Sequence, residues 1–241
     1  MEDKIQKLQE IIDNAKHIVF FTGAGVSTDS GIPDFRSQDG LYSMKYKYPP
    51  ETIISHTFFE ANTEEFYKFY KDKMLMLDVE PNYTHKFMAE LEKKGKSLGV
   101  VTQNIDGLHQ KAGSKRVYEL HGSVLRNYCT RCGKFFSAEY VRDADGVPYC
   151  DHCGSLIKPD VVLYEEGLST PVINGAVAAI QSADVLIVLG TSLVVYPAAG
   201  LIRYFAGKSL VLINRSVTPY DSEADLLIQD SFANVLPKIK I

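Results

Sequence analysis

The stretch HIVFFTGAGVSTDSGIPDFRS, residues 17–37, restricts the possible folds more than any other part of the chain. An apolar run that ends in Gly23-x-Gly25 reads as a buried strand delivering its backbone into a tight turn, the opening of a nucleotide-binding βαβ unit. The Gly-x-Gly-x-x-Gly fingerprint is incomplete, because Thr28 occupies its third position. Two glycines still permit close approach of the backbone to a pyrophosphate. Ser27 and Thr28 add hydroxyl groups, and the start of the following helix faces the anion. The loop then runs Gly31-Ile32-Pro33-Asp34-Phe35-Arg36, which sets a carboxylate, an aromatic ring and a guanidinium side by side behind a stiffening proline. Read alone, these residues make a surface turn with an ion pair.

The rest of the chain alternates short apolar runs with helical patterns, which predicts an α/β fold with a mostly parallel, helix-covered sheet. Strands are expected at 17–21, 98–103, 117–120, 161–164, 185–189, 210–213 and 226–228. Helices are expected at 83–94, 171–182, 197–206 and 232–236, and an amphipathic N-terminal one carries Ile5, Leu8, Ile11 and Ile12 at helical spacing. Two insertions break the pattern. Residues 37–80 carry Phe58, Phe59, Phe66, Tyr67, Phe69 and Tyr70 at helical intervals, best read as packing aromatics. Residues 125–157 carry the cysteines and are too short to build a core without a staple. The expected organisation is a Rossmann-like domain of residues 1–36, 81–124 and 158–241. The two insertions would form a second, smaller, discontinuous domain.

All four cysteines sit in two C-x-x-C pairs, YCTRCG and YCDHCG, with 17 residues between the pairs. Cys129, Cys132, Cys150 and Cys153 match the donor type, number and spacing of a tetrahedral structural zinc site. Four thiolates leave no open coordination position, so the metal is expected to hold the fold and not to take part in chemistry. A redox C-x-x-C normally needs one pair only, and His152 inside the second pair reads as a bystander. A net charge of −4 argues against nucleic acid as the main ligand and leaves room for a basic peptide. No run approaches the roughly 20 apolar residues that span a bilayer, and the expected location is cytoplasmic.

Polar groups gather at three further expected strand ends, where open α/β sheets bind their ligands. TQNIDGLH (102–109) follows one strand, ELHG places His121 after another, and GTSLVVYPAAG (190–200) follows a third. His121 stands out among the histidines because of that position. His17, His56, His85 and His109 read as structural.

Taken in order, GAGVSTDSGIPDFR, TQNIDGLH, ELHG, the two C-x-x-C pairs and GTSLVVYPAA closely resemble the sirtuins, NAD-dependent protein-lysine deacylases, and most nearly their bacterial members. The resemblance covers about residues 5–235. It implies that Gly23, Ala24, Gly25, Thr28, Gly190, Thr191 and Ser192 hold the phosphates and adenosine side of NAD. Asn214 and Arg215 would meet the adenine ribose, and Ser231 would border the adenine. Asp34, Phe35 and Arg36 would close over the nicotinamide ribose. Asn104, Ile105 and Asp106 would line the nicotinamide pocket, and Gln103 and His121 would address the ribose hydroxyls. Catalysis would fall to His121 and Asn104. The implied reaction consumes NAD as a glycosyl donor: the acyl-lysine carbonyl oxygen displaces nicotinamide at C1′. His121 then serves as general base, and water releases deacylated lysine and 2′-O-acyl-ADP-ribose. The peptide would enter as an added strand between 161–167 and 192–196, touching Val161, Val162, Leu193, Val194 and Tyr196.

Two departures qualify the resemblance. Many relatives read Phe-Gly-Glu where this chain has Tyr164-Glu165-Glu166, and the paired carboxylates suggest a preference for peptides with Lys or Arg beside the acylated lysine. A solvated acidic loop is the plainer reading of the same residues. Desuccinylating sirtuins carry Tyr-x-x-Arg, whereas this chain has Tyr67-Lys68-Phe69-Tyr70, which favours acetyl or other uncharged acyl groups over succinyl. Alternatives to a deacetylase are a mono-ADP-ribosyltransferase, with the same NAD cleavage and another acceptor, and a non-catalytic sensor of NAD or ADP-ribose.

Overall fold

The computed structural model describes residues 1–37, 40–43 and 46–241; Gln38, Asp39, Met44 and Lys45, which belong to the expected helical insertion, lie outside the described residues. Among these residues nine strands occur in chain order: β1 (Ile18–Thr22), β2 (Ser97–Thr102), β3 (Val117–Glu119), β4 (Gly122–Cys129), β5 (Phe135–Ser137), β6 (Ile157–Val161), β7 (Val185–Leu189), β8 (Ser209–Ile213) and β9 (Leu226–Ile228). Six form one parallel sheet in the order β3-β2-β1-β7-β8-β9. The order reverses at β1, so the crevice beyond the ends of β1 and β7 is the topological switch point of a doubly wound sheet.

The apolar runs become strands because both faces of the sheet are covered. Ile18 and Phe20 of β1 face one core with Ile187, Val211 and Ile213. Val19 and Phe21 face the other with Leu186, Val188 and Leu212. The N-terminal helix, Glu2–Asn14, buries Leu8 and Ile12 against the first core, and Ile5 and Ile11 pack beside them. The expected helix at 197–206 is a 3-10 helix, Ala198–Tyr204.

The remaining three strands make a separate antiparallel sheet, β5-β4-β6. This corrects the strand expected at 161–164. The strand ends at Val161 and pairs with β4, not with the parallel sheet. Its Lys-Pro-Asp centre concealed it, yet its burial alternates as a half-exposed strand does. Pro159 is tolerated because the register slips between Ser123 and Asn127 of β4, at an irregularity of the ladder.

The aromatics of the insertion are packing residues. Phe58, Phe59, Phe66, Tyr67, Phe69 and Tyr70 are buried, together with Val124, Cys129, Phe136, Val141, Cys150 and Ile157, in a third core shared by the helical insertion and the cysteine segment. Edge-to-face contacts order them, with Phe59 and Phe66 centroids 4.9 Å apart and Phe66 and Tyr67 5.2 Å apart.

Candidate active site

A cleft of about 1100 Å³ opens at the switch point, between the ends of the parallel strands and the small antiparallel sheet. Two glycine turns form its floor. The turn after β1 and the turn after β7 lock together backbone to backbone: Gly25 N–H donates to Gly190 O (2.9 Å), and Gly23 N–H donates to Leu189 O (3.1 Å). A Cβ on Gly25 would come within 2.8 Å of Gly190 Cα, and Gly190 itself has φ of 61°. The glycines therefore serve a loop-to-loop contact, which also exposes the short 3-10 helix Ala24–Ser30 to the cleft. Thr191 extends the joint, accepting from Gln103 Nε2 (2.9 Å) at its hydroxyl and from Asn214 Nδ2 (3.2 Å) at its carbonyl.

His121 sits in the two-residue step between β3 and β4, on the cleft wall. Its neighbour Gly122 has φ of 75°, and any side chain there would overlap the Asp160 carbonyl, so this step requires glycine. His121 Nδ1 lies 3.0 Å from the Gln103 carbonyl oxygen, to which it donates. The contact fixes the tautomer and leaves Nε2 as the acceptor of the ring. Burial holds the pKa of His121 below its ordinary value, partly offset by the bond to Gln103. A neutral imidazole ready to take a proton results.

Opposite it, Asn104 and Asp106 meet at Ser27. The Ser27 hydroxyl donates to Asp106 Oδ2 (2.7 Å) and accepts from Asn104 Nδ2 (3.1 Å). Leu108 N–H donates to Asp106 Oδ1 (2.9 Å), while burial raises the carboxyl's pKa. Ser27 was expected to offer its hydroxyl to phosphate, but it is fully buried and points inward. Behind it, His85 Nε2 stands 3.4 Å from Ser27 Oγ, and His85 Nδ1 accepts from Asn82 N–H (3.3 Å). His109 packs edge-on to His85 and reaches Thr22 Oγ1 (3.0 Å). Thr22 donates to Thr102 Oγ1 (2.8 Å), which accepts from Asn104 N–H (3.0 Å). Burial lowers His85 to about 4 and His109 to about 3, so both are neutral. Nothing in the local sequence signals the link of these two histidines to Asn104 through two threonines and a serine.

Most of the expected site residues converge here. Gly23, Ala24, Gly25, Thr28, Asp34, Phe35, Arg36, Gln103, Asn104, Ile105, Asp106, His121, Val161, Val162, Gly190, Thr191, Ser192, Tyr196, Asn214 and Arg215 all line the cleft. Three expected residues do not. Leu193 has φ of 54°, and its side chain is fully buried in the core beneath, not on the wall. Val194 is exposed outside the lining, and Ser231 lies behind Arg215, accepting from its guanidinium (3.0 Å). Lys73, Met74 and Met76 line the cleft unforeseen, whereas Tyr67 and Tyr70 are buried away from it.

Glu165 and Glu166 both line the cleft, Glu165 exposed and Glu166 half-buried, and neighbouring groups hold each of them. Glu165 Oε2 accepts from the N–H (2.9 Å) and hydroxyl (2.7 Å) of Thr57. Glu166 accepts from Leu163 N–H (2.9 Å) and Lys158 Nζ (3.1 Å), and pairs with His56 Nδ1 (2.8 Å). Glu165 adopts φ of 77°, the left-handed region that favours glycine; its two bonds to Thr57 offset the strain.

Cys129, Cys132, Cys150 and Cys153 form a second cluster on the small sheet, their sulfur atoms all within 4.8 Å of one another. Four convergent thiols with no disulfide fit one tetrahedral zinc ion. Among the described residues, no helix is long and apolar enough to cross a membrane.

The Sir2 family profile matches residues 23–197. An NAD-dependent protein deacetylase of Clostridium acetobutylicum is 59% identical over 240 residues, covering 98% of each chain. One of Staphylococcus aureus is 47% identical over 241 residues, covering 99% of each. Among solved structures, a Sir2 protein with deacetylated p53 peptide and 3′-O-acetyl ADP ribose superimposes with a TM-score of 0.89 at 40% identity, covering 97% of this chain and 96% of that one. A Sir2 bound to acetylated peptide gives 0.83 at 40% identity, covering 94% and 93%. With the switch-point cleft, the paired glycine turns and the four-thiol cluster in the same chain, this protein belongs to the Sir2 family of sirtuins.

Proposed function

We propose that this chain is an NAD-dependent protein-lysine deacetylase that transfers the acetyl group of acetyl-lysine to ADP-ribose and releases nicotinamide. The observation that carries the reading is His121. Its Nδ1 is committed to Gln103 and its Nε2 serves as acceptor, in one cleft with the two glycine turns. Full-length identity of 59% to an NAD-dependent protein deacetylase supports it.

In this reading Gly23, Ala24, Gly25, Thr28, Gly190, Thr191 and Ser192 hold the pyrophosphate and adenosine side of NAD. Asn214 and Arg215 hold the adenine ribose, with Ser231 steadying Arg215. Asp34, Phe35 and Arg36 shield the nicotinamide ribose from water. Asn104, Ile105 and Asp106 receive the departing nicotinamide. Both Asp106 oxygens already accept one bond, and each keeps a lone pair for a carboxamide N–H. His121 takes a proton, through the ribose hydroxyls, so that the 2′-hydroxyl can attack the acyl carbon. The peptide lies as an added strand along 161–164 and 192–196, and Val161, Val162 and Tyr196 flank the lysine stem. Leu193 and Val194 contribute backbone alone.

Zinc is structural here: coordinated by the four cysteines, it closes a segment too small to hold itself. Residues 37–80 and 125–157 form the small domain, and the remaining segments form the NAD domain. Uncharged acyl groups are preferred to succinyl, since the position an acyl-pairing arginine would take holds the buried Tyr70, and the cleft's Lys73 is paired with Asp72 (3.0 Å). Thiols destined for zinc suit a reducing compartment, which supports a cytoplasmic location.

Incubation with NAD and an acetylated peptide, followed by mass spectrometry, tests this function. The expected small-molecule product is 2′-O-acetyl-ADP-ribose beside deacetylated peptide; ADP-ribose gained by a protein would replace the deacetylase with a transferase.

A further inference from the structure

At one point the cleft is bridged by two side chains that neither the nucleotide nor the lysine assignments use. Tyr42, on the loop beyond the Gly-x-Gly turn, and Tyr164, just past β6, share a hydrogen bond between hydroxyl oxygens 2.8 Å apart. Both residues line the cleft.

Each tyrosine is fastened to its own side. Phe35 packs edge-on against Tyr42, with centroids 5.6 Å apart, and the Arg36 guanidinium lies 5.2 Å from the centre of the same ring. Tyr42 N–H donates to Phe35 O (2.9 Å) and Leu41 N–H donates to Asp34 O (2.8 Å). Asp34 Oδ1 in turn accepts from the N–H groups of Arg36 (3.0 Å) and Ser37 (2.8 Å). Where Tyr42 goes, Phe35 and Arg36 must follow. Tyr164 is pinned from the other wall: its N–H donates to Ile54 O and its carbonyl accepts from His56 N–H, both at 3.0 Å. The strained Glu165 beside it is tied to Thr57.

We propose that Tyr164 is a positioning residue. Its hydroxyl clasps Tyr42 and thereby holds Phe35 and Arg36 over the nucleotide half of the cleft. One hydrogen bond would then couple the wall that receives the lysine to the loop that covers the ribose. The inference rests on reading this cleft as the NAD site. Phenylalanine at position 164 would keep the ring and lose the link. Burial and the bond itself push the Tyr42 hydroxyl's pKa above its ordinary value, so this phenol stays protonated at neutral pH.

Calorimetric titration with ADP-ribose, which binds without turnover, tests the clasp in wild type, Tyr42→Phe, Tyr164→Phe and the double variant. Each substitution removes one oxygen and leaves the rings and the Phe35 and Arg36 contacts in place. Each single variant should bind ADP-ribose about two- to tenfold more weakly, the worth of one neutral hydrogen bond. The double variant should be no weaker than either single one, because all three lack the same bond. Acetyl-peptide affinity should change less than ADP-ribose affinity in Tyr42→Phe, a split that general loosening of the fold would not produce. Single variants that bind like wild type, or a double variant whose loss is the product of the two, overturn the clasp alone. Failure of the wild type to bind ADP-ribose overturns the nucleotide reading and the clasp with it.

Discussion

The parallel-sheet region and the cysteine-bearing region reach stability by opposite routes. The first buries aliphatic side chains on both faces of six strands, and its cores draw on the N-terminal, central and C-terminal helices. Those interactions need nothing beyond the chain. The second has a three-stranded sheet, short helices, an aromatic core and two buried cysteines. Its core is too small to offset chain entropy comfortably, so the four thiols act as the staple. The contrast teaches where the chemistry belongs: the large region supplies the glycine turns, Asn104 and His121, and the small one supplies a wall.

Removing the metal should divide the two regions most sharply. Chelation, or Cys150→Ser, removes a contribution on the order of 10 kcal/mol to folding of the cysteine segment. Hydrogen exchange should then show Phe136, Val141 and Ile157 losing protection while Val19 and Ile187 keep theirs. Loss of protection everywhere at once would mean one cooperative unit and would end the comparison.

His121→Ala acts in the opposite sense. Deacetylation should fall by about 10²–10⁴-fold, the usual worth of a positioned general base. Zinc content and melting temperature should stay near wild type. A variant that loses its zinc as well as its activity would show His121 to be a folding residue.

Acid should weaken the large region first. His85 and His109 are neutral in the fold, with pKa values of about 4 and about 3, while the unfolded chain binds protons near pH 6.5. Stability from these groups is complete above that value and declines as pH falls toward 3–4, because the unfolded state then takes up more protons. At pH 5 each would cost on the order of 2 kcal/mol. His85→Gln should flatten the acid limb of a denaturant midpoint against pH, and an unaltered limb would remove the histidines from the account. The catalytic limb should likewise lie below the range of a free imidazole, since burial depresses His121.

The smallest effect concerns the small core. Among the described residues the buried Tyr70 hydroxyl has no partner, so Tyr70→Phe should be neutral or stabilising by about 1 kcal/mol. A clear loss of stability in urea would show that the oxygen has a role in the core.

Legibility in the sequence followed the same divide. Strands buried on both faces, such as VLIVL at β7, read directly as continuous apolar runs, and the polar residues after them pointed to the site. The strands β4 and β5 did not, because they mix Arg, Asn and Ser with apolar residues and β5 is only three residues long. Local sequence also could not show that Leu193 would turn left-handed into the core, or that Glu165 and Glu166 would find Thr57, His56 and Lys158. Thr57 and His56 lie 108 and 110 residues from these glutamates along the chain, and only the fold brings them close.

The central claim is that this cleft breaks the nicotinamide bond of NAD only to accept an acyl-lysine oxygen. Nicotinamide release measured beside lysine deacetylation tests it most directly. Release should require the acetylated peptide and should match deacetylated lysine in equal amounts; release that proceeds without peptide, or far exceeds deacetylation, would contradict it.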